Sequence, residues 1–178
     1  TSRDLPAIDG TSRLSQDLRW GTISPRTVAT VVGTATPARQ AFVRQLAWRD
    51  WYAHLLWGRP EMVDRPLRPS DEHIEWRSDV KGFAAWRDGR TGYPIVDAGM
   101  RQLAATGWMH NRVRMIAASF LVKDLLIDWR RGERYFRHVL VGGDGALNVG
   151  NWQWVAGTGP YAAPYFRIFN PMTQSRKF

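Results

Sequence analysis

Ten residues, TGWMHNRVRM from Thr106 to Met115, hold an indole, an imidazole, an amide, two guanidiniums and two thioethers, with no acid among them. On a helix, Asn111, Arg114 and Met115 share one face because they sit three and four apart, while Arg112 lies about 100° round, toward Met109 and Ile116. Such a face can read the edge of an aromatic ring, an anion and an apolar surface together. It can equally be a helix end whose polar groups meet solvent. A second stretch, DGTSRLS from Asp9 to Ser15, sets hydroxyls and an arginine beside a glycine, a composition suited to presenting N–H and O–H groups to phosphate or to making an ordinary turn or cap. In NWQW, Trp152 and Trp154 are two apart, so their rings point in different directions in either regular structure and meet different neighbours.

Other chemistries find no support. The chain has no cysteine, which excludes disulfides and thiolate catalysis, and His54, His73, His110 and His138 show no metal-ligand spacing. Neither a nucleophile elbow, a P-loop nor a G-x-G-x-x-G fingerprint is present. The formal charge of +9, a pI near 10.8 and the dominance of arginine (only Lys81, Lys123 and Lys177 are lysines) favour a polyanionic partner, although a generally basic surface would look the same. Ten tryptophans in 178 residues are many, and most tryptophans are simply core. Arginines, aromatic rings and a phosphate loop together suggest a bound aromatic cofactor and DNA.

The elements that must position these groups read as helices. Hydrophobic residues make up 44% and mean hydropathy is −0.39, as in an ordinary globular chain, and no run approaches the length of a membrane span. Residues 1–24 read as loop, followed by a helix with Pro25 in its first turn. PARQAFVRQLAWRDWYAHLLW repeats Phe42, Leu46, Arg49 and Ala53 at helical spacing and is closed by Gly58-Arg59-Pro60. The proline-rich stretch 60–71 reads as a surface connection. Pro94 and Gly107 bracket a further helix. Beyond it, MHNRVRMIAASFLVKDLLIDW reads as one central helix of about five turns, and GERYFRHVL as a short one. The glycines of VGGDGALNVGNWQW argue against a long regular helix there. No period-two pattern persists, so the fold class expected is all-α with long glycine- and proline-containing loops.

The motifs GTSRLS, WRDWYAHL, NWQW and APYFRIFNP, with the unbroken run GRTGYPIVDAGMRQLAATGWMHNRVRMIAASFLVKDLLIDWRRGERYF from Gly89 to Phe136, resemble the FAD-binding helical domain of the DNA photolyase/cryptochrome family, above all the bacterial class I cyclobutane pyrimidine dimer photolyases. The resemblance covers nearly the whole chain. It implies that residues 1–178 are part of a C-terminal FAD-binding helical domain, without the family's N-terminal α/β antenna domain, so that an antenna chromophore would belong only to a full-length parent. It also implies a monomeric protein of the bacterial cytoplasm, with no membrane association, whose partner is damaged DNA carrying a pyrimidine dimer and whose active cofactor is reduced FAD.

Position by position, the resemblance puts Thr11, Ser12, Arg13, Leu14 and Ser15 at the flavin phosphates and ribityl chain. Phe42, Arg49, Trp108, Asn111, Arg114, Gly142, Asp144 and Asn148 fall where flavin-lining residues lie. Trp152, Trp129 and Trp76 match a chain of tryptophans passing an electron from the surface to the excited flavin, Trp152 nearest. Trp48 and Trp154 would pack on the flipped lesion, with Gln45, Asn111, Arg112 and Met115 lining the same pocket; Arg3 and Gln174 would touch DNA. The implied activity is that of a deoxyribodipyrimidine photo-lyase, a carbon–carbon lyase driven by light. The alternative is a cryptochrome-like blue-light photoreceptor using the same flavin and tryptophans, and the charge alone would also suit a non-enzymatic nucleic-acid-binding module. Three positions depart from the family pattern: Gln45 stands where bacterial enzymes often carry glutamate, Gly142 where an aspartate usually pairs with the arginine at Arg114, and Tyr161 where an aspartate is common.

Overall fold

Nine α-helices are present among the residues described in the computed structural model, 2–160 and 167–178, and no strand occurs among them. They are α1 (Ser15–Trp20), α2 (Pro25–Val32), α3 (Pro37–Gly58), α4 (Val80–Arg87), α5 (Pro94–Thr106), α6 (Asn111–Ser119), α7 (Trp129–Val139), α8 (Gly145–Ala156) and α9 (Pro171–Lys177). Capping explains most of the starts. Ser24, Thr36, Asp79, Asp128, Asp144 and Asn170 each accept a bond from a backbone N–H of the first turn, and proline opens α2, α3, α5 and α9. The all-α expectation holds, and so do the limits of α2, α3 and α5; Gly107 ends α5 in the left-handed conformation.

Four sequence expectations change. Part of the 1–24 loop is helix α1. Residues 80–87, which carried no assignment, form α4 behind an Asp79 cap. The central helix expected to run about five turns stops short: α6 runs into a π-helical turn, Phe120–Asp124, and Leu126 takes φ +55° before the short helix α7 begins, three residues earlier than expected, at Trp129. The break lets Lys123 sink its ammonium against the Ala156 carbonyl at the end of α8, at 3.1 Å. Finally, the glycine-rich segment is a regular twelve-residue helix, α8. Asp144 caps it, and tertiary packing overrides propensity: the ring of Tyr52 on α3 lies against Gly150 where a side chain would stand.

The core is built on α6, whose Val113, Ile116 and Ala117 are buried together with Trp86, Met100, Leu121, Trp129, Phe136, Val149 and Trp152. Helix α8 packs against α7 on one side and α3 on the other. The proline-rich stretch lies tighter than a surface connection: Met62 is fully buried, and the buried Gln153 of α8 donates to the Met62 and Arg65 carbonyls at 2.7 and 2.9 Å while accepting from the Leu67 N–H at 2.9 Å. Gln153→Leu strands the Met62 and Arg65 carbonyls, while the Leu67 N–H keeps its bond to the Thr158 carbonyl at 3.2 Å; the expected loss is about 2–4 kcal/mol, measured by urea unfolding, and a neutral result would show that this segment is not clamped by α8.

Candidate functional site

A cavity of about 780 Å³ opens between α1, α3, α6 and α8, and its wall gathers the stretches that sequence singled out. The loop residues Thr11, Ser12, Arg13, Leu14 and Ser15 form one end. Phe42, Gln45, Trp48 and Arg49 come from α3, spaced three and four apart along one face. Trp108, Asn111, Arg112, Arg114 and Met115 come from the α5–α6 junction, and Gly142, Asp144, Asn148, Trp152 and Trp154 from α8 and its approach. Arg3 also lines it. Gln174 on α9 does not, and neither do Trp129, buried in the core on α7, and Trp76, half-buried against the core in the irregular segment before α4. Tyr161 falls outside the described residues.

Local geometry accounts for the shape. Arg13 adopts φ +52°, a strained conformation for a residue with a side chain, and this turns its guanidinium over the Trp108 ring at 4.7 Å while Asp9 pairs with it at 3.3 Å. Arg49 ties three elements together, donating to the Leu18 carbonyl at 3.1 Å, to Asp50 at 3.3 Å, and approaching the Asp144 cap of α8 at 3.9 Å. A Cβ on Gly142 would stand 3.0 Å from Ser15 Oγ and 3.1 Å from the Gln16 nitrogen, so this position backs directly onto the loop.

The face predicted for α6 is present: Asn111 and Met115 touch one turn apart, at 3.7 Å from Nδ2 to sulfur. The imidazole in the same stretch has a structural task. His110 caps α6, its Nδ1 accepting from the Arg112 N–H at 3.1 Å, so Nε2 carries the proton and donates to the Arg3 carbonyl at 3.0 Å. Burial pulls its pKa down, which keeps the ring neutral.

The electrostatics are one-sided. Five arginines (Arg3, Arg13, Arg49, Arg112 and Arg114) face two aspartates (Asp4 and Asp144) around the cavity. Arg112 pairs with Asp4 at 3.2 Å. Arg114 forms no ion pair among the described residues; its Nε donates to the Met109 carbonyl at 2.7 Å, and desolvation lowers its pKa to about 10. A cation held this way stabilises an anion placed beside it. Opposite, Asn148 spends both amide hydrogens on Glu133, at 2.9 Å to its backbone oxygen and 3.0 Å to Oε1, so what it can offer the cavity is its Oδ1 acceptor. Glu133 itself is buried, with Arg137 at 3.4 Å, and burial raises its pKa above the usual carboxylate range.

Among the cavity residues that the sequence reading passed over, Tyr52 and Asn151 had a signal that could have found them. Tyr52 lies four positions after Trp48 and Asn151 three after Asn148, on the same helix faces. The aromatic wall is continuous: Trp48 meets Trp51 edge-on at 5.3 Å and Trp51 meets Tyr52 at 4.9 Å. As expected for residues two apart, the rings of α8 part company, Trp152 entering the core and Trp154 lying half-buried with the Arg167 guanidinium 5.9 Å from its centroid. A cavity of about 780 Å³ with a hydroxyl-rich loop in its wall, a desolvated arginine, a fixed amide acceptor and aromatic walls fits a dinucleotide that carries a diphosphate and a polar tricyclic ring.

Comparison with known families agrees. Residues 42–178 match the family described as the FAD binding domain of DNA photolyase, and the chain belongs to that family. Among curated relatives, it is 53% identical over 183 residues to the deoxyribodipyrimidine photo-lyase of Escherichia coli, a match covering 99% of this chain and 39% of that protein. The chain therefore spans about two-fifths of the length of that relative. Among solved structures, it superimposes on a bacterial class III photolyase from Agrobacterium tumefaciens with a TM-score of 0.96 at 51% identity, over 99% of this chain and 38% of that one. It also superimposes on a Synechocystis cryptochrome with a TM-score of 0.89 at 36% identity, over 96% of this chain and 36% of that one.

Proposed function

We propose that this chain carries the catalytic centre of a light-driven DNA repair enzyme, a deoxyribodipyrimidine photo-lyase that splits cyclobutane pyrimidine dimers by electron transfer from reduced FAD to a flipped lesion. The observation that carries this reading is one cavity holding both sets of residues: those suited to flavin, from the loop through Arg114 and Asn148, and those suited to a flat, apolar, hydrogen-bonding lesion, Gln45, Trp48, Asn111, Arg112, Met115 and Trp154. Within the photolyases the sequence resemblance points to class I. The similarity to a class III enzyme is of the same order, and the proposed reaction is common to both. The match covers 99% of this chain but 39% of its relative, as expected for part of a longer protein, and the family resemblance is what makes that part the C-terminal helical domain.

Bound FAD would supply the light-absorbing group and the transferable electron. The protein's own residues do the rest. The Thr11–Ser15 loop and Arg13 hold the diphosphate end, Arg114 and Asn148 orient the ring, and Trp48, 44% exposed, offers the lesion an apolar face. Base extrusion is the strategy photolyases are known for, and a damaged pair costs less to unstack than a sound one. The net charge of +9 supplies the sequence-independent hold on phosphates, so affinity for DNA is expected to fall steeply with salt. No helix among the described residues is long and apolar enough to cross a membrane, and the reading is of a monomer acting on DNA in the bacterial cytoplasm.

The test is to load the protein with FAD, measure flavin bound per chain, reduce it, and illuminate it with an oligonucleotide containing one thymine dimer. Dimer reversal that needs both blue light and reduced flavin is the expected result. Flavin bound without repair would shift the reading to a cryptochrome-type photoreceptor, which the similarity to the Synechocystis protein makes the specific alternative. Absence of flavin binding would sink both.

A further inference from the structure

Helices α4 and α7 run alongside one another. The Arg131 guanidinium lies over the Phe83 ring at 4.2 Å, and three to four residues further on in each helix Trp86 meets Tyr135 at 5.8 Å. Ahead of these contacts the Arg77 N–H donates to the Leu126 carbonyl at 2.7 Å, tying the approach of α4 to that of α7. No residue of α4 lines the cavity, and from α7 only Phe136 does, among the described residues. Arg131 and Arg134 lie about 140–160° round the helix from Phe136, on the side turned away from the cavity.

This outer face is one-sided in charge because every acid on it already has a task. Asp79 caps α4, accepting from the Gly82 N–H at 2.8 Å. Asp88 is taken by Arg87 at 2.7 Å and by Arg90 at 2.8 Å. Asp128 caps α7 and pairs with Arg130 at 2.8 Å. Glu133 is buried, bonded by Asn148 and paired with Arg137 at 3.4 Å. Arg77, Lys81, Arg131 and Arg134 are left with no ion pair among the described residues. Three of them are exposed, and Arg131 is half-buried by its stack on Phe83, which holds the plane of its guanidinium.

We propose that this face is a second surface for a nucleic-acid backbone, separate from the mouth of the cavity, so that one chain holds two duplex segments at once. It rests on the reading of DNA as the partner. The free cations are spread along two helices and converge on no pocket, which suits a line of phosphates better than a single anion. The eleven residues of α7 span about 16 Å, the axial rise of about five phosphates of one strand. Arginine dominates the set, and its planar fork meets a phosphate through two parallel bonds where lysine offers a point charge. A chain with two such surfaces passes from one segment to another without letting go, which shortens the search for a rare lesion.

The experiment saturates the flavin-loaded protein with a short duplex bearing one thymine dimer, then titrates a labelled undamaged duplex at low salt and counts duplexes per chain. Two per chain are expected for the wild type and one for Arg131→Gln/Arg134→Gln. Arg26→Gln/Arg39→Gln, on α2 and α3, removes the same charge and should still take two. Either single change, Arg131→Gln or Arg134→Gln, should flatten the log–log salt dependence of the second duplex by about 0.9, the loss of one phosphate contact. Flavin content and urea unfolding of each variant show that it is folded. One duplex per wild-type chain overturns the proposal, and so does an equal loss in the two double variants, which would reduce the effect to net charge. Phosphatidylserine vesicles bound through Arg131 and Arg134 in place of the second duplex would overturn it in favour of a membrane surface. A protein that does not bind the dimer-bearing duplex would overturn the reading of DNA as partner, and this surface with it; that binding retained while the second duplex fails isolates the failure here.

Discussion

Gly150→Ala is expected to lower stability by about 3 kcal/mol and to weaken ligand binding in the cavity, although glycine-to-alanine changes inside helices ordinarily gain about 1 kcal/mol. The sign is decided by distance. A Cβ at position 150 would lie 2.2 Å from both Cδ1 and Cε1 of Tyr52. That ring cannot swing clear: it is 7% exposed and held by Trp51 at 4.9 Å and Trp48 at 6.3 Å. Helices α3 and α8 must separate instead, and both carry cavity wall. A loss of this size is a large fraction of the roughly 5–15 kcal/mol that holds a domain folded. Urea unfolding of Gly150→Ala, Tyr52→Leu and the double variant supplies the check. The smaller residue at 52 should recover more than half of the loss, a coupling that two independent sites would not show. A neutral Gly150→Ala would mean the two helices do not pack this closely.

The same residue shows where sequence reasoning stopped. Glycines lower intrinsic helix propensity, so VGGDGALNVGNWQW read as irregular, yet Gly150 is there because another helix needs the room, a fact written at Tyr52, nearly a hundred residues away. Local signals did better. Proline at first turns and Gly107 after α5 marked helix limits directly, and the three-to-four spacing of Asn111, Arg114 and Met115 survives as a shared cavity face. The π-helical turn was illegible because Phe120–Asp124 continues the apolar pattern of α6; the break has its partner on another helix, where Lys123 reaches the Ala156 carbonyl of α8. His110 looked chemical and is a cap, since ring nitrogens can serve a backbone N–H as well as a substrate. The cavity as a whole was beyond periodicity, for it joins four stretches from Thr11 to Trp154 that share no local pattern. What joined those stretches into one site, and added Phe42, Gln45, Trp48 and Arg49 to it, was resemblance alone, and resemblance led along the tryptophans to Trp129 and Trp76, leaving Trp86 unremarked although its ring touches that of Trp152.

Arg114→Met should separate binding from folding by moving them in opposite directions. In the ligand-free protein Arg114 carries a desolvated charge with no carboxylate beside it among the described residues, compensated by its bond to the Met109 carbonyl. Methionine fills a similar volume without that penalty, and replacing buried charge by apolar side chains is often neutral or stabilising by about 1–4 kcal/mol. Ligand-free stability is therefore expected to hold or rise. Affinity for FAD should fall, because a charge-assisted hydrogen bond is worth about 1.5–3 kcal/mol, roughly ten- to a hundredfold in affinity. The pH dependence carries its own sign. With its pKa pulled down to about 10, folded Arg114 sheds its proton while the unfolded chain still holds it, so wild-type stability relative to Arg114→Met should be lowest below pH 10 and recover above it. Unfolding of both ligand-free proteins on either side of pH 10, with flavin titrations alongside, decides the matter. A variant that loses stability below pH 10 and binds FAD as tightly as before would show that Arg114 is a packing residue, and that the cavity's anion is held by Arg13 and the hydroxyl loop instead.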